Sequence, residues 1–450
     1  MTSDRCPQSS VLRPPSSADE ISRVLTNFAK WLETYGETSW DFQSFYAGPV
    51  GGRAKALYYR YRLIGTAAVA PMIFCEAFLP TARRLFHHRM RFPIADAHYA
   101  MGFAFLYEAI PHCGMYLERA IHFLNELTSS RCPGFEEYCW GYPFNWVWRR
   151  GVVKQETPLI TTTPYVYEAF RQVTKLLQQE NVQRSTPNAQ HSTSKTTDDY
   201  GQILESIARH AANDINDFRT SESASSCSYS PFGEGGVVNA AAYRAFLLTS
   251  ASKVLSKEEY WRIAERNLNF VLENQNPDGS WYYAIDGRDF IDHFHTCFVM
   301  KALAKIHAFT GHQACAHALA KGVNYYLNNL FDVDGLPKPF SKAPRLTVYK
   351  RELYDCAECI NLCLLLRDQF PQLEITLETV IQGILNEWVK PDGSFRSRRL
   401  YWGWDNVPMH RWGQSQMFRA LAFYLAEARK MRGERSQTPD VRDQKAAVKS

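Results

Sequence analysis

The chain has 450 residues, 45% of them hydrophobic and 22% charged, with 51 lysines and arginines against 46 aspartates and glutamates. A net charge of +5, with no basic helix and no RNA-stacking motif, argues against a nucleic-acid-binding protein. Aromatic residues make up 14%, and rings beyond the needs of a core commonly line ligand clefts.

In chain order, Met1–Ser17 lacks the apolar run of a secretory leader, so a cytoplasmic protein is expected. The eleven cysteines, an odd number, are then expected as reduced thiols. Irregular ends are expected at 1–18 and 431–450, around one domain at 19–430. Ile21, Leu25, Phe28, Leu32 and Tyr35 recur at helical spacing behind the Ser17/Glu20 capping pattern. The longest apolar run, Leu63–Pro80, is flanked by Arg60, Arg62, Arg83 and Arg84. It reads as a buried helix pair broken at Pro71, with an interfacial membrane segment as the alternative. Val182–Asp198, rich in Ser, Thr, Gln and Asn, reads as a disordered insertion.

The second half carries a repeat. Asp278-Gly279-Ser280-Trp281, Asp334-Gly335-Leu336-Pro337 and Asp392-Gly393-Ser394-Phe395 are spaced 56 and 58 residues apart. That interval suits one helical hairpin plus one long loop. Leu377, Val380, Ile381, Ile384, Leu385 and Trp388 mark one amphipathic helix of the series; Trp261, Ala264, Leu268 and Val271 mark another.

Short connections near 111–114, 255–257, 310–312 and 370–372 alternate with long ones near 129–160, 220–238, 276–290, 331–351 and 390–407. Antiparallel hairpins then place every long loop on one rim, the usual home of binding and catalysis. Helices after the long loops start near Asp96, Thr163, Asn239, Asp292, Leu353 and Met409. The expected fold is therefore all-α, a single (α/α)6 toroid, or seven hairpins if a pair between Ala54 and Arg89 joins the ring.

Candidate site residues follow from the polar starts of these helices. Thr296, Glu358 and Gln414 stand seven residues before Leu303, Leu365 and Leu421; His293, Asp355 and Arg411 stand ten before. Asp96, His98, Tyr165, Glu168, Asn239 and Tyr243 hold comparable places earlier. Asp292 and His295, three apart, suit a carboxylate-oriented imidazole; Asp355 and Glu358 suit a pair in which one carboxyl is pushed up. His410 is a further candidate base. The aromatic loops supply Tyr142, Asn145, Trp146, Trp281, Trp404 and Trp412 as possible walls for sugar faces or isoprenoid chains. Helix capping and mouth-filling rings explain any one of these residues without a ligand. No phosphate-binding loop, dinucleotide motif or metal-ligand spacing stands out, so neither metal nor cofactor is expected.

Gln275-Asn276-Pro277-Asp278-Gly279-Ser280-Trp281 resembles the Gln-x-x-x-Gly-x-Trp motif of terpenoid cyclase toroids, although their acidic motifs are absent here. Tyr142-Pro143-Phe144-Asn145-Trp146, Thr161-Thr162-Thr163-Pro164-Tyr165, Asp292-His293-Phe294-His295-Thr296 and His410-Arg411-Trp412-Gly413-Gln414-Ser415-Gln416 together resemble bacterial toroids labelled polysaccharide-biosynthesis (VpsJ-like) proteins. In that pattern an Asp commonly stands where this chain has Asn145.

The resemblance implies an anionic oligosaccharide or lipid-linked glycan as ligand, and other polysaccharide-biosynthesis proteins as partners. Asp292, Asp355 or Glu358 would act as acid, and His295 or His410 as base or orienting group. Hydrolysis, elimination and uronate epimerisation are all compatible with that equipment. The alternatives are a non-catalytic glycan or polyprenyl-lipid binding subunit, and a prenyl or terpenoid enzyme.

Overall fold

The computed structural model describes residues 17–110, 113–149, 151–183 and 187–437. In chain order the helices are α1 (Ser17–Tyr35), α2 (Ser44–Ala47), α3 (Pro49–Arg60), α4 (Arg62–Phe78), α5 (Pro93–Ala109), α6 (Gly114–Ser129), α7 (Thr163–Gln183), α8 (Pro187–Arg209), α9 (Val238–Leu255), α10 (Glu258–Glu273), α11 (His293–Thr310), α12 (Gln313–Asn329), α13 (Leu353–Leu366), α14 (Leu373–Gly383) and α15 (Ser415–Gln437). Short strands lie in the loops and pair antiparallel: β1 (Trp146–Trp148) with β2 (Gly151–Val153), β3 (Asp217–Arg219) with β4 (Ser225–Cys227), and β5 (Ile291–Asp292) with β6 (Phe340–Lys342). In the last sheet β8 (Arg398–Leu400) is central, between β7 (Tyr349–Glu352) and β9 (Gly403–Asp405).

The fold is an all-α toroid of six hairpins. α5, α7, α9, α11, α13 and α15 pack in sequence, and α15 closes on α5. These inner helices are apolar nearly all round, as in Ala240–Leu248, which suits helices walled on every side. α6, α8, α10, α12 and α14 each back the inner helix before them, and α1 backs α15.

The repeated turns join neighbouring outer helices. Gly279, Gly335 and Gly393 have φ of 93°, 74° and 91°, left-handed values that favour glycine. Asp278 and Asp392 each accept the backbone N–H and hydroxyl of the serine two residues on. Trp281 donates from Nε1 to the Val271 carbonyl at 3.0 Å, and Gln275 Nε2 donates to the Ala318 carbonyl in α12. Gly279 lies against Lys321 of α12, Gly335 against Thr379 of α14, and Gly393 against Asn27 of α1. The third turn thus meets the N-terminal helix, which fills the sixth outer position and closes the ring.

The pair that left a seventh hairpin open is a loop insertion. Residues 36–92 connect outer α1 to inner α5 on the long-loop side, and α3–α4 pack on each other and on β1 around a separate small core of Phe45, Ala54, Val69 and Met72. Nor is this pair broken at Pro71. α4 runs through that residue, the chain turns at Tyr61, and much of α4 is exposed. The insertion is tied down by a buried two-point pair between Arg83 and Asp405, at 3.1 and 2.8 Å.

Of the irregular segment expected at Val182–Asp198, residues 184–186 fall outside the described residues, and the chain is helical from Pro187. α15 stays helical to Gln437. Residues 1–16 and 438–450, which hold most of the expected irregular ends, also fall outside the described residues. Ten cysteines are described and all are free thiols. No helix among the described residues is long and apolar enough to cross a membrane.

Candidate functional site

The long loops gather at one rim, and α11 begins there. Asp292 is its N-cap: Oδ1 accepts the His295 backbone N–H at 3.1 Å, and Oδ2 lies 2.6 Å from His295 Nδ1. A carboxylate at Nδ1 orients the ring and favours the tautomer that carries its proton there. The His295 side chain is 20% exposed and lines the cleft at this rim. Tyr283 meets the ring edge-on at 4.7 Å, and Phe290, Phe294 and Phe298 enclose it.

Asn239, at the start of α9, faces the same narrow cleft with Thr296 and Trp281. Both polar atoms of its amide are buried without a partner among the described residues. A buried amide left unpaired is a place for a ligand's polar group. Tyr283 also walls the adjoining cavity of about 460 Å³, lined by Trp146, Trp148, Lys154, Tyr229 and Arg288 among others. That volume falls within the usual range for small-molecule sites.

The well beside the dyad is filled by rings. Tyr354 stacks on Trp412 at 4.6 Å, Phe294 meets both at 5.3 Å, and Trp412 Nε1 donates to Glu352 at 3.0 Å. Arg411 lies 4.7 Å over the Tyr142 ring while Asp41 holds its guanidinium at 2.6 and 3.0 Å. Deeper in, Tyr165 and Tyr243 share a hydroxyl contact at 2.7 Å.

The interior acids differ sharply in state. Asp355 is fully buried and neither oxygen has a partner among the described residues. Burial, then the charges of Glu352, Asp292 and Glu358, push its carboxyl well above the ordinary range, so it holds a proton. Glu358 is neutralised by Lys301 in a buried pair. Burial raises the Glu168 carboxyl, but Lys305 and Arg419 outweigh it and hold it at about 2. Burial, reinforced by Arg419, keeps His98 neutral, with Nε2 unpartnered among the described residues and its ring 4.5 Å from Tyr165.

Other candidates sit in walls. His410 is buried between α1 and α5, with Nδ1 2.5 Å from the Tyr99 hydroxyl and Nε2 3.0 Å from the Gly36 carbonyl. Burial lowers it to about 4, and both nitrogens are occupied. His293 is likewise held by Tyr326 and the Leu330 carbonyl. Gln414 bonds both backbone groups of Phe395, and Asp96 accepts from Arg91 at 2.8 Å. Trp404 meets Trp388 edge-on with Arg396 and Arg399 over its ring. Asn145 is exposed and accepts the Gln155 N–H across the β1–β2 hairpin. Sequence reasoning passed over Tyr229, Tyr283, Phe290 and Arg288. Only the tyrosine and phenylalanine content of two long loops hinted at them.

No family model and no curated protein sequence matches the chain. Solved structures of α/α toroids do match. An unsaturated glucuronyl hydrolase specific for heparin superposes with a TM-score of 0.59 at 10% identity, over 92% of this chain and 98% of the other. A possible member of the GH105 family from Salmonella enterica gives 0.56 at 13%, over 95% and 100%. Cellobiose 2-epimerase from Bacillus thermoamylovorans gives 0.55 at 10%, over 76% and 90%. At these identities the likeness establishes the six-hairpin toroid, and the chemistry has to be read from this chain's own side chains.

Proposed function

We propose that the chain is a carbohydrate-processing toroid that takes an anionic oligosaccharide into the rim cavity and removes a carbon-bound proton with His295. The observation that carries this reading is the Asp292–His295 dyad, which lines a narrow cleft with the unpaired Asn239 amide and is separated by Tyr283 from the aromatic cavity. Trp146, Trp148, Tyr229 and Tyr283 offer flat faces for sugar rings. Lys154 adds positive charge for a uronate carboxylate, whose adjacent C5 proton is the one a neutral imidazole can take, while Arg288 beside it is paired with Asp286 at 2.7 Å. Asp355, kept protonated on the neighbouring inner helix, is the candidate acid, although it is fully buried and lines neither the cleft nor the cavity.

Proton abstraction, leading to elimination or epimerisation, fits better than hydrolysis. Hydrolysis normally uses two carboxyl groups flanking the bond. Here Glu358 and Glu168 are tied to lysines. The names of the matching structures, glycan hydrolases and a sugar epimerase, support the carbohydrate class. The VpsJ-like sequence pattern supports a place in extracellular-polysaccharide or lipid-linked glycan assembly.

The test is a screen of uronate-containing and neutral glycans, with binding and product mass followed for the wild type, His295→Gln and Asp292→Asn. The account expects a mass or retention change for a uronate glycan that His295→Gln abolishes. Glycan binding by all three proteins with no product from any would replace it with a non-catalytic binding subunit.

A further inference from the structure

We propose that the α3–α4 hairpin is a membrane-docking element that lays its outer face on an anionic bilayer surface. The sequence sets this up. Residues 42–92 contain eight lysines and arginines and one acid, Glu76. α4 is apolar apart from Arg62, Thr66 and Glu76, and its inner stripe of Gly65, Val69 and Met72 packs on α3. Its outer stripe, Leu63, Ala67, Ala70, Phe74 and Phe78, follows i, i+4, i+7, i+11, i+15 spacing and faces solvent. Leu63 is 89% exposed and Phe74 56%, with Ile64 and Leu79 also in the open. Trp402, 72% exposed, stacks on Phe78 at 5.3 Å and extends the face from the β8–β9 turn. A contiguous patch of this kind marks an interaction surface.

Charge selects the occupant. Arg60 and Arg62 flank the hairpin apex at Tyr61, each over a tyrosine ring, at 5.1 and 4.4 Å. Arg53 and Arg84 are exposed beside the same helices, and Arg345 lies close enough to Lys55 to act on it electrostatically. Glu76 is neutralised by Arg398 at 2.7 Å, so the hairpin presents no free carboxylate. A second copy of the chain would add a face of the same positive charge, which does not complement this one.

A bilayer rich in anionic lipid satisfies both features. The apolar stripe enters the headgroup boundary, the arginines reach phosphates along its edge, and Trp402 sits at the interfacial level. α4, 17 residues long and carrying Glu76, lies on the surface and does not cross it. α3 also packs on β1, which bears Trp146 and Trp148 of the cavity. Docking would therefore hold the cavity mouth beside the lipid surface.

The experiment is co-sedimentation of the full chain with vesicles of pure phosphatidylcholine and of equimolar phosphatidylcholine and phosphatidylglycerol, at low and high salt. The variants are Leu63→Ser with Phe74→Ser, and Arg60→Gln with Arg62→Gln. All four side chains are already exposed, and thermal melts check that the variants fold. The wild type is expected to pellet with the anionic vesicles and to be released by salt. The serine pair should weaken partitioning by about tenfold or more, and the glutamine pair should lose most of the salt-sensitive part. A wild type that stays in the supernatant with every vesicle, or a serine pair that binds as well as the wild type, overturns the proposal. So does a concentration-dependent dimer dissolved by the serine pair, which would assign the face to a second copy. Vesicle binding is read without turnover, so its outcome is separate from that of the glycan screen.

Discussion

Asp355 gives the sharpest energetic prediction. Its carboxyl is buried with both oxygens unpaired among the described residues, and burial plus the neighbouring Glu352, Asp292 and Glu358 raise its folded pKa well above the ordinary value of about 4. A group raised in this way contributes its full share to stability below the unfolded pKa and loses it as pH rises toward the folded one. The loss is about 1.4 kcal/mol per pH unit, because only the unfolded chain releases the proton. Asp355→Asn removes the titration while keeping the shape. It adds a pH-independent cost of about 1–3 kcal/mol for an amide without partners. The wild type should therefore lose stability relative to the Asn variant by about 1.4 kcal/mol per unit across the mildly acidic range. Urea unfolding of both proteins at several pH values measures this directly. A stability difference that stays flat with pH would show that Asp355 is ionised in the fold, and would remove it as the proton donor.

Three further substitutions probe the frame around the site. Asp41→Asn leaves the Arg411 guanidinium buried without its counter-charge and should cost about 3–5 kcal/mol in chemical unfolding. Gly279→Ala forces a Cβ to within 2.4 Å of the Lys321 carbonyl oxygen at a φ of 93°, so it should destabilise by about 1–3 kcal/mol or more, seen as a lower Tm. Asn145→Asp keeps the acceptor for the Gln155 N–H on an exposed hairpin. Thermal melts should place it within about 0.5 kcal/mol of the wild type, and its activity should stay within about threefold.

Much of the ring was legible because its repeat is local chemistry. An Asp-Gly turn needs a left-handed glycine and an acceptor aspartate, and both stand in the sequence at each of the three positions. The inner-helix starts were legible for the same reason, since loop length alternates along the chain. The place of the α3–α4 pair stayed open because an apolar helix pair looks alike whether it joins a ring or lies over its rim. Aligning polar helix starts singled out His293 and Asp355, and the three-residue spacing singled out Asp292 with His295. It could not say that the rings of His293 and His410 bond into the wall.

For the last inner helix the alignment also slipped. Residues 410–414 form a π-type turn with non-helical Trp412 and Gly413, so a count of seven residues back from Leu421 lands on Gln414, which faces Phe395. Tyr229 and Tyr283 escaped notice because long-range loop packing, not spacing, brings them to the cavity.

The most direct test of the dyad is solvent-deuterium exchange. Uronate glycans incubated with the protein in deuterium oxide should gain deuterium at the carbon beside the carboxylate, or lose that hydrogen on elimination. His295→Gln should slow the reaction by about a hundredfold or more, and Asp292→Asn should slow it while leaving thermal stability nearly unchanged, because Asn caps α11 as well as Asp does. Exchange that proceeds at the wild-type rate in His295→Gln would contradict the assignment of the base and, with it, the proposed reaction.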